Sequence, residues 1–574
     1  MKEFLIILGL IIVAAAIKTA LDEKKRRKKF LQEMTDRFGA YEPNEMSPLR
    51  MDRVTHYHGS KKKENVIDDI TFKDLNLKTL YKKINVCRTF YGEEVLYDIL
   101  RSPEFEEAPL KERDELVSFL YDNPDVAAQL SLYLSDIGRE DVMPLSDCIS
   151  ELEILKGRTK LGRMIFTEFL CFLAGIGSVV LIFVNPMAGF FAFFIVLFIN
   201  LCVYFYRQRR IEGYARCIIS VIRLIDSVRH LAKLSGDNVA GQRIAEMNSL
   251  CDKIASLKRG SFLLVSGRSG TGNLTDVVLD YFRMYLHLDL LRFYTMLGEV
   301  TQKKNEILAL SESAGELDAC VALASYRKSL VKWCRPQFTG AGKEGLYYKA
   351  KGLYHPLVKA CVENDADFSK CVLLTGSNAS GKSTYLRSVA LGALMGQTIY
   401  TVCAASYEAP FFVTATSMAV SDDVLAGDSY YMAEIKSLKR IMDLSRQDVP
   451  LLCVIDEVLR GTNTAERVAA STEILLQLSK NSLCFAATHD LELAGLLEDT
   501  FDNYHFSEDV DTESGDISFG YKLMSGFAKS RNAIKLLILM GYDEKITDRA
   551  IERCRTFLTE GVWKKNLRKY EFFS

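Results

Sequence analysis

The chain has 574 residues, which exceeds one ordinary domain and predicts two to four folding units. Hydrophobic residues make up 48% of the chain and the formal net charge is -1, which excludes a disordered chain and a broadly basic nucleic-acid-binding protein. The 14 cysteines are scattered without a CxxC pair, and several lie in apolar runs. They are therefore expected to be reduced core residues of a cytosolic protein rather than disulfides or zinc ligands.

The first apolar stretch, Phe4–Ile17, precedes a basic run, Lys24–Lys29. A cleaved signal peptide carries its positive charge before the apolar stretch, so the order seen here favours a signal anchor with its N-terminus outside. The alternative is an N-terminal helix buried in a core. We predict a membrane anchor with a basic stop-transfer run over residues 1–30, followed by a linker over residues 31–70.

Two longer apolar stretches, Met164–Val184 and Met187–Tyr206, are joined by an Asn-Pro turn. Each has about 20 residues, the length that spans a bilayer, and basic residues flank both outer ends. We predict a transmembrane hairpin over residues 164–206 with both ends in the cytoplasm. With the anchor, this gives three transmembrane helices, a multi-pass protein of the cell membrane and a cytoplasmic C-terminal half. Asn200 is expected to make an interhelical hydrogen bond, and Glu168 to lie near the membrane edge.

The rest of the chain divides into a helical region and an α/β region. Residues 71–163 and 207–335 have helical apolar periodicity and are predicted to form an all-α core and lever domain in two parts. Over residues 336–574, short apolar runs alternate with helical stretches, which is typical of a mainly parallel sheet with helices on both faces. The predicted strands and helices of this region are Cys371–Leu374, Phe411–Thr414, Leu451–Ile455 and Leu483–Ala487, with helices at Glu434–Leu444 and Ala465–Leu478.

The first of these strands runs into a glycine-rich turn, in the sequence CVLLTGSNASGKST. Four residues separate Gly376 from Gly381, Lys382 and Ser383, which is the spacing of a P-loop. In such a loop, backbone N–H groups and the following helix N-terminus surround the phosphates, the lysine neutralises the β/γ oxygens, and the serine hydroxyl can hold Mg²⁺. The alternative is an ordinary glycine-rich turn between a strand and a helix. The pattern favours a nucleotide-binding site.

Two later strands end in residues that can act on a nucleotide. The run LLCVIDE ends in Asp456 and Glu457, of which the first can hold the Mg²⁺ shell and the second can polarise the attacking water. The run SLCFAATHD ends in Thr488 and His489, at the edge where a side chain could contact the γ-phosphate. The alternatives are a chance pair of carboxylates and a structural histidine. The order of these two strand ends after the P-loop favours an ATPase.

Several consecutive motifs resemble those of the MutS mismatch-repair ATPase family. The P-loop segment GSNASGKSTYLRSVAL, the segment SDDVLAGDSYYMAEIKSLKRIM and the motifs DEVLRGTNTAE and AATHDLELAGL are similar to the family's motifs in order and spacing. The segment that begins GYKLMSGFAKSRNAIK resembles its C-terminal helical dimerisation element. The resemblance covers about residues 71–155 and 290–557, and it implies a P-loop ATPase domain after a helical core.

The resemblance also implies roles for individual residues and implies ATP and Mg²⁺ as cofactors. Asp456 would hold Mg²⁺ with Ser383, Glu457 would be the general base, and His489 would sense the γ-phosphate or the water. Lys382 would serve catalysis as well as binding. The loop residues that would cradle the phosphates are Gly376, Ser377, Asn378, Ala379, Ser380, Gly381, Lys382, Ser383 and Thr384.

Three further positions are assigned by the same resemblance. Ser429 would reach the ATP of a partner subunit, while Tyr521 and Val362 would pack on the two sides of the adenine. A site that each subunit completes for the other makes a homodimer part of the mechanism.

The chain also departs from the family pattern. A membrane anchor and charged linker precede residue 71, where a mismatch-reading domain would be expected, and the hairpin takes the place of the DNA-gripping clamp. We predict a membrane-anchored MutS-family ATPase that couples ATP hydrolysis in a dimer to movement of a helical lever, with DNA as partner. The alternative is a membrane scaffold or signalling protein that keeps the ATP-driven dimer switch without binding DNA. A transport-coupling ATPase is disfavoured, because the spans carry few charges.

Overall fold

The computed structural model describes most of the chain and divides it into two compact units. The first comprises residues up to 64, 81–101 and 111–329, and the second comprises 65–80, 102–110 and the residues from 330 onward. The predicted anchor stretch, Phe4–Ile17, lies outside the described residues. These are residues 18, 21–63, 65–139, 143–234, 236–265, 281–339, 345–376, 380–418, 430–460, 462–510, 517–527, 534, 537–538 and 540–563.

The described part of the first unit is helical, as predicted for the core and lever. Two helices, α4 and α6, cross a boundary between the units. The helices up to residue 329 that belong to the first unit or cross its boundary are α1 (21–36), α2 (Pro48–Ser60), α4 (Leu77–Ile84), α5 (Phe90–Arg101), α6 (Glu107–Asp122), α7 (Pro124–Ser135), α8 (Leu145–Arg158), α9 (Leu161–Val184), α10 (Pro186–Leu231), α11 (Val239–Lys253), α12 (Phe262–Val265), α13 (281–286), α14 (Leu288–Gln302) and α15 (Lys304–Ser329).

Residues 31–70, predicted to be a linker, contain an ordered helix instead. Helix α2 begins with Ser47 as its N-cap, whose side chain accepts a hydrogen bond from the Arg50 N–H. Arg50 and Arg53 then both pair with the buried carboxylate of Glu93, the latter at 2.6 Å. These two arginines of the predicted linker are therefore part of the packing of the helical unit.

Helices α9 and α10 are long and apolar enough, by length and composition, to cross a membrane. Two such helices are found among the described residues, so the predicted three are not shown. Their apolar side chains are largely exposed, with Phe183 at 85% and Phe198 at 71%. The predicted span ends at Tyr206, and helix α10 continues beyond it to Leu231 without a break.

The two polar residues of this hairpin are both buried. Asn200 donates a hydrogen bond to the Cys171 carbonyl of α9, which confirms the predicted interhelical bond. Glu168 is fully buried and pairs with Arg207 of α10, so its charge is neutralised by a side chain rather than by solvent at a membrane edge.

A carboxylate from a distant helix holds the start of α5. Asp318 of α15 accepts hydrogen bonds from the backbone N–H of Arg88 and from the N–H and hydroxyl of Thr89, the last two at 2.7 Å. Gly92 leaves room for this carboxylate, because a Cβ at this position would overlap Asp318 Oδ2. Close packing of α5 on α15 therefore requires a glycine at this position.

The second unit contains two sheets. The larger sheet has the strand order β10-β9-β4-β8-β7-β6, and all its pairings are parallel except that of β9 with β10. The smaller sheet has the order β1-β5-β2-β3. The strands are β1 (Gln337–Phe338), β2 (Tyr348–Leu353), β3 (Asn364–Phe368), β4 (Cys371–Thr375), β5 (Ser406–Ala409), β6 (Val413–Ser417), β7 (Leu451–Asp456), β8 (Ser482–Thr488), β9 (Phe501–Val510) and β10 (Ile517–Ser525).

Helices cover both faces of the larger sheet, which confirms the predicted α/β domain. Alternate strand residues such as Leu373, Ile455 and Ala486 point to the face where α17, α18 and α19 pack. The other strand positions face the opposite side, where α16 packs against β7 and β8. The helices of this unit are α3 (Asp69–Asp74), α16 (Lys382–Ile399), α17 (Tyr430–Leu444), α18 (Thr464–Leu478), α19 (Leu491–Leu496) and α20 (Glu544–Glu560).

Residues 65–80 and 102–110 belong to the second unit, although 65–70 were predicted to be linker and 71–80 and 102–110 to lie in the helical core. Asp74 of α3 accepts hydrogen bonds from the Thr416 hydroxyl at 2.7 Å and from the Met418 N–H at 2.9 Å, at the end of β6. The Glu104 N–H donates to the carbonyl of Gln397 in α16. Helical periodicity could not reveal these contacts, because they are made by side chains and loop backbone far apart in sequence.

The first prediction concerns Gly92. Gly92→Ala is expected to lower the free energy of unfolding by about 1–3 kcal/mol, because the new methyl group overlaps the Asp318 carboxylate. Chemical denaturation measures the change. Gly157→Ala in α8 is the matched control, since a Cβ there meets nothing within 4 Å and the substitution favours a helix. Equal stability of the two variants would contradict the proposed contact.

The second prediction concerns Glu94. Burial raises the pKa of its carboxyl to about 8, although Arg53 lies 3.4 Å away and lowers it. Because its pKa is raised in the folded state, the protonated Glu94 carboxyl contributes stability. This contribution is complete below the unfolded-state pKa of 4.5 and is lost as the pH rises to about 8. Glu94→Gln should therefore gain stability relative to the wild type over this interval, by about 1.4 kcal/mol per pH unit.

Denaturation at a series of pH values tests the Glu94 prediction, with the exposed Glu42→Gln as the control for loss of a formal charge. A constant stability difference between pH 4.5 and 8 would show that Glu94 titrates normally.

Candidate functional site

The glycine-rich turn lies between the central strand β4 and helix α16. Gly376 and Gly381 have φ angles of +127° and +104°, in the left-handed region that favours glycine. The Lys382 side chain is 1% exposed, and its Nζ donates to the Gly376 carbonyl across the turn. The loop therefore already holds a buried ammonium group at the point where the chain leaves the sheet.

Ser383 and Asp456 meet at the ends of their elements. The Ser383 hydroxyl, in the first turn of α16, donates to Asp456 Oδ2 at the end of β7 over 2.5 Å. A hydroxyl and a carboxylate oxygen are ligands that Mg²⁺ accepts, usually together with waters and phosphate oxygens. The two residues predicted to serve a metal ion thus lie in direct contact.

Glu457 leaves the strand in an unusual backbone conformation. Its φ is +63°, and its N–H donates to the Ala487 carbonyl of β8 at 3.0 Å. Left-handed backbone is uncommon outside glycine and is found more often at functional sites. This turn directs the Glu457 carboxylate toward Arg460, with which it pairs, and toward His489, whose Nε2 lies 2.9 Å from Oε1.

The environment of Glu457 keeps it ionised. Burial works to raise the pKa of its carboxyl, but the hydrogen bond from His489 and the positive charge of Arg460 outweigh burial and hold the pKa below its ordinary value. An ionised carboxylate next to the Ser383–Asp456 pair is the form that a general base requires.

His489 follows the last residue of β8 and is held in place by its neighbours. The Thr488 hydroxyl accepts a hydrogen bond from the Asp490 N–H at 3.0 Å, and Asp490 forms two bonds with Arg467 of α18, at 2.7 and 2.8 Å. The paired Arg467 and Asp490 fix the backbone on one side of the histidine.

Val362 and Tyr521, which the resemblance assigns to the adenine, line one cavity of about 310 Å³. Gly381 and Thr384 of the P-loop line the same cavity. Asn364 of β3 holds Tyr521 there, because its amide donates to the Tyr521 carbonyl at 2.9 Å and its oxygen accepts from the Leu523 N–H. The cavity is thus continuous with the loop.

Two residues of the site were not singled out from the sequence. Arg460 lies in the motif DEVLRG, three residues after Glu457, and that spacing after a strand end is the signal that could have identified it. Asn364 carries no local signal, because its partners lie in β10. Ser377, Asn378, Ala379 and Ser429 lie outside the described residues, while Ser380 is buried in the loop.

Comparison with known proteins matches the C-terminal half of the chain. The MutS domain V family matches residues 372–558. The DNA mismatch repair protein MutS of Natronomonas pharaonis is 32% identical over 273 residues, 46% of this chain and 31% of that protein. The MutS proteins of Thermotoga maritima and Thermus thermophilus are 30% and 31% identical, over 48% and 43% of this chain and 34% and 30% of theirs.

The matched region spans about a third of the length of these relatives. It includes the glycine-rich turn after β4, β7 with Asp456 and Glu457, and β8 with the adjoining His489. Residues 372–558 therefore form a domain that matches the MutS domain V family.

Proposed function

We propose that this chain is an ATPase that binds ATP with Mg²⁺ in its MutS domain V and hydrolyses it to ADP and phosphate. The observation that carries the proposal is the meeting of three groups at the ends of β4, β7 and β8: the Lys382 ammonium, the Ser383–Asp456 pair and the Glu457–His489 pair. Each has the chemistry that one part of phosphoryl transfer requires.

Binding begins at the loop. The Lys382 ammonium would exchange the Gly376 carbonyl for phosphate oxygens, and the N-terminus of α16 adds its partial positive charge. Ser383 and Asp456 would hold Mg²⁺, which when bound neutralises charge on the β- and γ-phosphates. Val362 and Tyr521 border a cavity of about 310 Å³ beside the loop, within the range of roughly 300–1,000 Å³ for small-molecule sites, and would take the adenine.

Hydrolysis uses the next strand ends. Glu457 would accept a proton from the attacking water, since its carboxylate is ionised and its backbone conformation directs it out of the sheet. His489 donates to Glu457 in this structure and would contact the γ-phosphate or the water in the bound state. Arg460 pairs with the same carboxylate and orients it.

We further propose that the ATPase works as a homodimer, in which Ser429 reaches the nucleotide of the partner. The C-terminal helix α20 supports a dimer, because Ile551 and Leu558 lie seven residues apart on one face and are exposed, at 36% and 53%. Exposed apolar side chains in helical register are typical of helix association. ATP held between two subunits would couple its hydrolysis to movement of the helical lever.

The hairpin of α9 and α10 is proposed to anchor the protein in the cell membrane. Both ends of the hairpin, and the ATPase domain, would then lie in the cytoplasm. The exposed apolar surface of the hairpin and the basic residues at its outer ends support this placement. DNA is the proposed partner, because the matched relatives are named DNA mismatch repair proteins. An ATP-switched membrane scaffold is the second candidate, supported by the same exposed hairpin.

The third prediction separates ATP binding from ATP hydrolysis. Lys382→Ala is expected to abolish ATP binding, because the buried ammonium group is the charge that meets the phosphates. Glu457→Gln should keep ATP affinity and lower the hydrolysis rate by about 10²–10⁴-fold, since only the base is lost. Fluorescent-nucleotide titration and phosphate release measure the two effects.

The exposed residues Lys439→Ala and Glu498→Gln are the matched controls, and both should behave as the wild type. Unchanged turnover of Glu457→Gln would remove this residue from its proposed role, and unchanged ATP affinity of Lys382→Ala would refute the P-loop assignment.

The fourth prediction concerns DNA. The full chain in detergent is expected to bind duplex or branched DNA, with an affinity that falls as salt rises. The logarithmic slope should be about -0.9 for each phosphate contacted in duplex DNA. Fluorescence anisotropy at several salt concentrations measures it. Intact ATP hydrolysis without DNA binding at low salt would exclude DNA as the partner and favour the scaffold.

A further inference from the structure

A second cluster of chemically active side chains lies far in sequence from the ATPase motifs, in the helical unit. Glu168 and Cys171 belong to α9, and His287 lies between α13 and α14. We propose that these three residues bind a divalent transition-metal ion, for which Zn²⁺ is the best match. Their three donor atoms, a carboxylate oxygen, a thiol sulfur and an imidazole nitrogen, all lie within 4.8 Å of one another.

Backbone geometry brings the three donors together. Glu168 and Cys171 are three residues apart on one helix and therefore share a face. His287 has a φ of +53°, a left-handed conformation that separates α13 from α14. Tetrahedral Zn²⁺ with ligand bonds of about 2.0–2.3 Å places its donors about 3.3–3.8 Å apart. The His287–Glu168 contact of 2.7 Å would therefore widen by about 0.6 Å, and a separation at the 4.8 Å limit would close by about 1 Å.

The second contact of the imidazole determines its protonation. His287 Nε2 lies 2.9 Å from the Asn200 carbonyl, which can only accept, so this nitrogen carries a hydrogen. His287 Nδ1 lies 2.7 Å from Glu168 Oε2, a contact that requires a positive species between the two atoms. A proton can fill that position, and so can a metal ion. A backbone carbonyl on the other ring nitrogen is the usual support of a metal-binding histidine.

The charge balance permits exchange of protons for the metal. Arg207 neutralises Glu168 through its other oxygen, Oε1. With a protonated imidazole and a neutral thiol, the carboxylate, Arg207 and His287 give a net charge of +1. Binding of one Zn²⁺ releases one proton from the Glu168–His287 pair and one from the Cys171 thiol, and the net charge remains +1. The buried cluster therefore gains no charge when the ion enters.

The donor set selects the class of ion. Thiolate and imidazole favour Zn²⁺ and related ions over Mg²⁺ and Ca²⁺, which prefer oxygen. Glu168 and His287 are fully buried, which limits competition from water, while Cys171 is half-buried. Three protein ligands leave a fourth position for water or another ligand.

The fifth prediction tests this site with the full chain in detergent, freed of metals by a chelator. Titration with ZnCl₂ in the presence of excess Mg²⁺ is expected to show one tight site per chain. Cys171→Ser, which preserves side-chain size, should weaken Zn²⁺ binding at least about tenfold. Cys202→Ser is the matched control, because Cys202 is an exposed thiol on α10, and it should bind as the wild type.

Cobalt provides an independent readout. Co²⁺ in the wild type and in Cys202→Ser should show a thiolate-to-cobalt absorption band that is missing from Cys171→Ser. Glu168→Gln should weaken Zn²⁺ binding as well. Equal Zn²⁺ affinity of Cys171→Ser and the wild type, or no stoichiometric site, would overturn the proposal and leave the cluster as a proton-bridged polar contact.

Discussion

The pairing register of three parallel strands determines where the candidate site forms. Thr375 of β4 lies opposite Thr488 of β8, and Ala487 lies opposite Asp456 of β7. The glycine-rich turn, the two carboxylates and the histidine therefore leave the sheet in one row. Because a shift of one residue would turn each side chain to the other face, the buried apolar positions of these strands also preserve the alignment of the site.

Buried charges in the helical unit follow a common arrangement. Glu93 meets Arg50 and Arg53, and Glu168 meets Arg207 and His287. Removing one partner of such a group leaves an uncompensated charge in a low-dielectric environment, so these contacts strongly disfavour other packings of the helices. They join segments that are distant in sequence, and charged partners specify which segments pair more precisely than apolar contacts alone would.

Much of the α/β domain could be predicted from local pattern. The predicted strands at Cys371, Leu451 and Leu483 begin within one residue of the observed ones, because buried parallel strands are continuous apolar runs. Strands β2 and β3 were missed, since their sequences YKAKGL and NDADF alternate with charged residues. That Val362 and Tyr521 lie beside the same cavity was predicted only from the family resemblance. Val362 comes just before β3 and Tyr521 lies in β10, and only the fold brings these two segments together.

The same limit applies to the hairpin region. The apolar stretches were evident, but no local pattern such as a CxxC pair marks the cluster of Glu168, Cys171 and His287. His287 lies more than one hundred residues from Cys171, and only the fold places it beside α9. The fully apolar stretch ends at Tyr206, but the helix continues to Leu231. The end of an apolar stretch therefore marks the end of a predicted membrane span and not the end of the helix.

Helix α10 has 46 residues, which at 1.5 Å per residue makes it about 69 Å long. Its first part carries exposed phenylalanines, and its last part, from Ile211 to Leu231, packs against other helices of the same unit. The two parts are one continuous α-helix, and after Pro186 at its first position it contains no proline that would kink it. A bilayer that fixes the tilt of the first part would by the same rigidity fix the axis of the last.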